Sequence, residues 1–277
     1  MENGGTTTAK RLTTPSMRHT ECALPALVAV FSLASCRQAG TTDMSADTMD
    51  LNTGTSKIEL VRIMPGTFMM GSPPDEQGHA RNEEPLRRVR ISKEFYLGRF
   101  EITQAQFRDV MGQAPAGEEG DVLPVRTRYA NAIEFCRRLS STANVNVRLP
   151  TEAEWEYACR AGTGTPYYSG TTETDLAKAA WYSGNAEGKP HPVGQKQPNA
   201  WGLYDMLGNV FEYCGDYIED YAKLPGTDPV GLVGPRNGAM RGGAWLYGPE
   251  QCRAATRMIS DDMFGGAGFR IALSARQ

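Results

Sequence analysis

The start signals for helices are confined to one stretch of this chain, and that restricts its fold more than any other feature. In TQAQFRDVMG, Thr103 can cap a helix and Gln106 follows three residues on. This is the reciprocal arrangement in which each side chain takes the other residue's backbone N–H. Phe107, Val110 and Met111 then share a face, and Gly112 can end the helix. NAIEFCRRLSS repeats the pattern with Asn131 and Glu134, and TEAEWEYACRAG with Thr151 and Glu154. In the last segment Trp155, Ala158 and Cys159 fall at i, i+3, i+4, a core-facing stripe, and Gly162 supplies the C-cap. Beyond Gly162 the signals stop. AWYSG, HPVG, AMRGGAWLYG and FRIAL read as short strands between long loops. Thirty glycines and seventeen prolines in 277 residues fit a loop-rich chain. The pattern predicts one irregular α+β domain.

Upstream, Ile58–Ile63 and Thr67–Gly71 read as a hairpin turning at Pro65-Gly66. Ser72–Pro85 is a polar loop, and Leu86–Ile91 and Glu94–Glu101 alternate well enough to be strands. Arg18, the apolar run Ala23–Leu33 and the small residues Ala34 and Ser35 before Cys36 read as a secretory signal, with Met17 as the expected start. Leu33-Ala34-Ser35-Cys36 is similar to a bacterial lipobox, which makes Cys36 the expected lipidation site. Each buried CH₂ of such a lipid contributes about 0.8 kcal/mol. The expected organisation is a leader over 1–36, a flexible tether over 37–56 and a folded domain over 57–277. That predicts export and a lipid anchor in the bacterial cell envelope, facing the periplasm or the cell surface. The net charge of −3 and the lack of a basic, aromatic-interleaved run give no reason to expect nucleic acid as a partner. Export removes Cys22, and Cys36 carries lipid. Cys136, Cys159, Cys214 and Cys252 remain, an even number that permits disulfides in three connectivities. None is spaced as CxxC and histidines are few, so no zinc site is expected.

RLPTEAEWEYACRAG (148–162), WGLYDMLGNVFEYCGDY (201–217) and GFR (268–270), with PGTFMMGS, EITQAQF, MRGGAW and CRAATR in the same order, resemble the formylglycine-generating enzyme family of sulfatase-modifying factors. The resemblance covers about residues 57–273. It implies an irregular α+β fold related to C-type lectins, with little regular secondary structure. In DMLGNVFE it also implies a calcium site: the side chains of Asp205 and Glu212 with the carbonyls of Gly208 and Val210, beside Asn209. Such an all-oxygen set suits a hard cation. Read from the residues alone, Asp205 and Asn209 cap turns and Glu212 pairs with an arginine. The family's second calcium site is not assigned, because the loop after Asn185 carries no Asp. By the same resemblance Cys159 and Cys252 form a disulfide, whereas the usual partner of Cys136 is replaced by Ile271.

Other positions depart from the family. Its enzymes use O₂ and copper, held by a pair of cysteine thiolates shortly after Gly-Gly-Ser, to oxidise a cysteine of an unfolded sulfatase. Here Ala244 replaces the serine and Tyr247 stands where the first thiol belongs. Cys252 falls near the second thiol when counted from Gly243 and within the structural stretch CRAATR when counted back from GFR; the latter is preferred. Copper is therefore not expected and no catalytic residue is assigned. Phe211, Tyr213 and Tyr217 take the places of family tryptophans. The expected function is a non-catalytic binding or scaffold lipoprotein for an envelope protein, peptide or glycan. The alternative is an oxygen-dependent non-haem iron oxidase with ligands drawn from His79, His191, Asp261 and Asp262. Formylglycine generation is the least expected.

Overall fold

In a computed structural model of the chain, the residues described are Met1, 47–113, 120–233, 238–259 and 267–274. The expected signal segment, Cys36, most of the tether, Asp261 and Asp262 lie outside them. Among the described residues no helix is long and apolar enough to cross a membrane.

The chain begins with β1 (Thr48–Asn52), β2 (Lys57–Ile63), β3 (Gly66–Met70), β4 (Arg87–Ile91) and β5 (Phe95–Gly98). Helices α1 (Gln104–Met111) and α2 (Tyr129–Ala143), the two-residue β6 (Val147–Arg148), α3 (Glu152–Arg160) and α4 (Glu173–Ala179) follow. After α4, among the described residues, come the short strands β7 (Glu212–Tyr213), β8 (Ala239–Arg241), β9 (Arg257–Ile259) and β10 (Ala272–Ser274), with 3-10 turns at Tyr221–Lys223 and Pro249–Gln251. An antiparallel sheet runs in the order β1-β2-β5-β10-β6, and two smaller sheets pair β3 with β4 and β7 with β8 and β9. The irregular α+β architecture expected from the sequence is the one observed.

Both faces of the five-stranded sheet are buried, and the alternation of its strands supplies the two faces. Ile58, Leu60 and Tyr96 face α1 and α2, where Phe107 stacks on Phe135 at 5.8 Å and Phe269 meets both edge-on. Ile63, Phe95 and Leu97 point to the other core, built on Trp155, Ala158 and Cys159 of α3. Capping boxes at Thr103/Gln106 and Thr151/Glu154 start α1 and α3, and Gly112 in the left-handed region ends α1.

Five local expectations are corrected. Residues 48–52, placed in the tether, form β1: Met49 and Leu51 alternate inward against β2, a period-2 pattern hidden by polar neighbours. Pro65-Gly66 is not a hairpin turn but a corner between sheets, pressed against the Tyr157 hydroxyl, which donates to the Met64 carbonyl. Helix α2 begins at Tyr129 rather than at Asn131, whose side chain turns back to Thr127, while Glu134 pairs with Arg137 and Arg138. The C-cap of α3 is Ala161, one residue before Gly162. Finally, α4 lies beyond Gly162; its box is Thr172/Asp175, with Asp doing what Glu or Gln usually does.

Candidate functional site

The DMLGNVFE turn is shaped by left-handed backbone at Asp205 (φ 53°), Gly208 (φ 72°) and Asn209 (φ 52°). Asn and Asp tolerate that region better than other side chains do. A Cβ at position 208 would lie 2.2 Å from the Trp181 carbonyl, so only glycine fits there. Asn209 is wholly buried and uses every polar atom. Its N–H donates to Trp181, its carbonyl accepts from Trp245, and its side chain binds Glu101 and both backbone groups of His191. It therefore ties the turn to three segments distant in sequence.

The four residues expected to hold calcium sit together on this turn and its exit into β7. Asp205 is buried; its Oδ2 accepts from Gly194 N at 2.6 Å, while its Oδ1 is buried with no hydrogen-bond partner. Glu212 pairs with an arginine, the alternative the residues themselves allowed. Arg270 grips it at 2.6 and 2.7 Å, and Trp155 Nε1 donates to Oε2 at 2.8 Å. Arg270 spends its other N–H groups on the carbonyls of Gly98, Arg99 and Tyr204.

Glu101, which the sequence reading left unremarked, takes Val210 N at 3.1 Å and Asn209 Nδ2 at 2.6 Å. Burial holds its carboxyl well above the usual range, and the charges of Asp205 and Glu212 push the same way. Burial also raises Asp205, to about 6. Three buried carboxyls thus face one guanidinium, with one carboxylate oxygen unsatisfied. That is the surplus of hard oxygen a divalent cation neutralises, so the residues fit the group. Glu212 brings at most one free lone pair, since Oε2 already takes two donors. Among the described residues no three His, Cys, Asp or Glu side chains form a metal-holding group, so the fit relies on main-chain oxygens.

The segment after the double glycine lies beside this turn. Trp245 N donates to the Asn209 carbonyl, Tyr247 N to Ala244 and Ser183 N to Tyr247. Tyr247 meets Phe211 edge-on at 5.0 Å and 78°. Leu246 between Trp245 and Tyr247 is 50% exposed. The result is an aromatic and aliphatic shelf. Cys252 lies beneath it, so close that a Cβ on Gly243 would come within 2.6 Å of its Sγ.

The Cys159–Cys252 bridge expected from the resemblance is not formed. Both are buried free thiols, as are Cys136 and Cys214, and the Sγ atoms of Cys159 and Cys252 turn to different carbonyls, Met206 and Ala244. Burial pushes both thiols up to about 12, which keeps them protonated. His79 is engaged by Ser72 and Glu84, and His191 stacks on Trp181 at 3.8 Å. Asn185 closes its own turn through Tyr182 N and the Ala180 carbonyl.

Helix α3 brings a second buried polar group that the sequence did not announce. Glu156 pairs with Arg160 and Arg241, and Glu152 with Arg257, all almost fully buried. Asp216 accepts from the N–H of Glu152 and of Gly231, both at 2.8 Å. Burial and the neighbouring Glu152 charge push it up to about 7.

Residues 45–275 match the family described as "Sulfatase-modifying factor enzyme 1-like domain", and the chain belongs to that family. It is similar to the chaperone protein LppX of Paenibacillus barcinonensis, at 30% identity over 69% of this chain and 79% of that protein. The formylglycine-generating enzyme of Streptomyces coelicolor is 28% identical over 78% of this chain and 89% of the enzyme. Among solved structures, PvdO from Pseudomonas aeruginosa aligns with a TM-score of 0.74 and 26% identity, covering 83% of this chain and 99% of PvdO.

Proposed function

We propose that this protein is an exported, lipid-anchored member of the family that binds an envelope protein or peptide without performing the family's oxidation. The observation that carries the reading is Tyr247. Where copper chemistry needs a soft thiolate, the chain puts a phenol packed on Phe211, next to the exposed Leu246. Cys252, the other sulfur of this stretch, is buried and held protonated. An apolar shelf rimmed by aromatic rings suits an extended chain with apolar side chains. Similarity to a protein named as a chaperone supports a polypeptide ligand over a glycan.

We further propose that Asp205, Glu212 and the carbonyls of Gly208 and Val210 hold a structural calcium ion, supported by the orphaned Asp205 Oδ1. Bound there, calcium would neutralise the surplus carboxylate charge and stiffen the turn to which Trp245 is hydrogen-bonded through the Asn209 carbonyl; it takes no part in a reaction.

The test of the shelf is binding of an unfolded, apolar-rich peptide by fluorescence anisotropy. Leu246→Asp should weaken binding about ten-fold or more, equivalent to about 1.4 kcal/mol; equal binding by wild type and variant would move the ligand elsewhere. Anchoring is tested separately: Cys36→Ser should move the protein from the membrane to the soluble fraction, and continued membrane retention would contradict the lipid anchor.

A further inference from the structure

We propose that Glu101 is a positioning residue for the cation site, holding the turn between Asp205 and Glu212 in its ligand-presenting shape without itself touching the ion. The proposal rests on the calcium reading above. Glu101 lies outside the turn motif, in the segment between β5 and α1, and is 1% exposed. Its two oxygens take two different donors of the turn, Val210 N at 3.1 Å and Asn209 Nδ2 at 2.6 Å. That bidentate grip fixes the peptide between Asn209 and Val210 and the Asn209 side chain together.

The consequences spread through Asn209. With its Nδ2 on Glu101, its Oδ1 is turned to His191 N, at 2.9 Å. His191 begins the strap that ends a few residues later with Gly194 N on Asp205 Oδ2, at 2.6 Å. That contact leaves Asp205 Oδ1 as the buried, unpartnered atom. On the other side, Val210 leads through Phe211 into Glu212, whose carboxylate is locked by Arg270. One carboxylate therefore sets the spacing between the two acidic ends of the turn. Such supports commonly cost ten- to a hundred-fold in metal affinity when lost.

Terbium, a luminescent probe for calcium sites, tests this in the full domain. Trp155 donates to Glu212 Oε2 at 2.8 Å, so an ion at this turn lies close enough to an indole for sensitised emission. Wild type should show emission that calcium displaces. Glu101→Gln keeps an acceptor for Val210 N but sets an amide N–H₂ against Asn209 Nδ2; it should bind terbium at least about ten-fold more weakly. Adding Asn209→Asp to it exchanges donor for acceptor toward position 101 and returns the negative charge, at the loss of the hydrogen bond from Nδ2 to the His191 carbonyl, and should recover part of the affinity. In the wild type, calcium should also slow hydrogen exchange of the Val210 amide, a readout that does not depend on any variant folding. The positioning role is overturned if Glu101→Gln binds like wild type, if the double variant stays weak (the carboxylate itself would then be the ligand), or if Val210 exchange ignores calcium. If wild type gives no displaceable emission, the calcium reading itself fails, and this inference with it.

Discussion

Arg270 does at one position what several residues do elsewhere. Its nitrogens bind both oxygens of Glu212 and the carbonyls of Gly98, Arg99 and Tyr204, so strand β5, the turn and β7 meet on one side chain that is wholly buried. Removing one partner of such a pair leaves the other charged and unsolvated, which costs far more than the pair itself contributes. Arg270→Ala should therefore destabilise the fold by about 3–5 kcal/mol in urea denaturation; a loss within the range of an exposed pair, under about 1 kcal/mol, would mean that Glu212 finds another partner. The motif GFR marks this arginine in the sequence, and Glu212 reads as able to pair with an arginine, though not with which one. Glu101 had no such mark: it reads as an ordinary strand-end residue until Val210 and Asn209 are seen to point at it.

At the level of elements, α3 shows where pattern reading works and where it stops. Its capping box and its Trp155–Ala158–Cys159 stripe follow from local rules, since both depend on residues within one or two turns. Glu152 and Glu156 flank that stripe, at i, i+4 and i+7 with Cys159, yet as charged residues they read as solvent-facing; both are buried, and their partners Arg241 and Arg257 arrive from β8 and β9. No periodicity within the helix can reveal that. The same limit explains β3, whose partner is β4 rather than the sequence-adjacent β2. Asp216 tests the buried end of α3. Burial raises its carboxyl to about 7 from an ordinary 3.8, so the proton is held more tightly in the folded chain than in the unfolded one. The stability this gives is complete below the unfolded value and disappears as pH rises through about 7. Measured against the Asp216→Asn variant, the wild type should lose stability between about pH 4 and about pH 7 and change little above that. A flat difference, or one of opposite sign, would show that its two N–H donors outweigh its burial.

For the whole molecule, the ordered motif blocks made the family recognisable, and the fold followed from it. What this copy does with the fold depends on a short stretch, Gly243 to Cys252. There the sequence raises the expectation that Tyr247 stands for a thiol, but it does not show the shelf, because its partner Phe211 lies in a different block. The cysteines show the opposite case: a resemblance suggested a bridge that the packing, with Cys252 turned under Gly243 and Ala244, does not make. The central claim is that the family's scaffold here presents a binding surface in place of an oxidising centre. It is tested most directly by incubating the protein with copper, O₂, a thiol reductant and a sulfatase-derived cysteine peptide, and following the peptide by mass spectrometry. The account predicts that the cysteine stays intact while the peptide is still bound. Conversion to the aldehyde above the level of copper alone would contradict it.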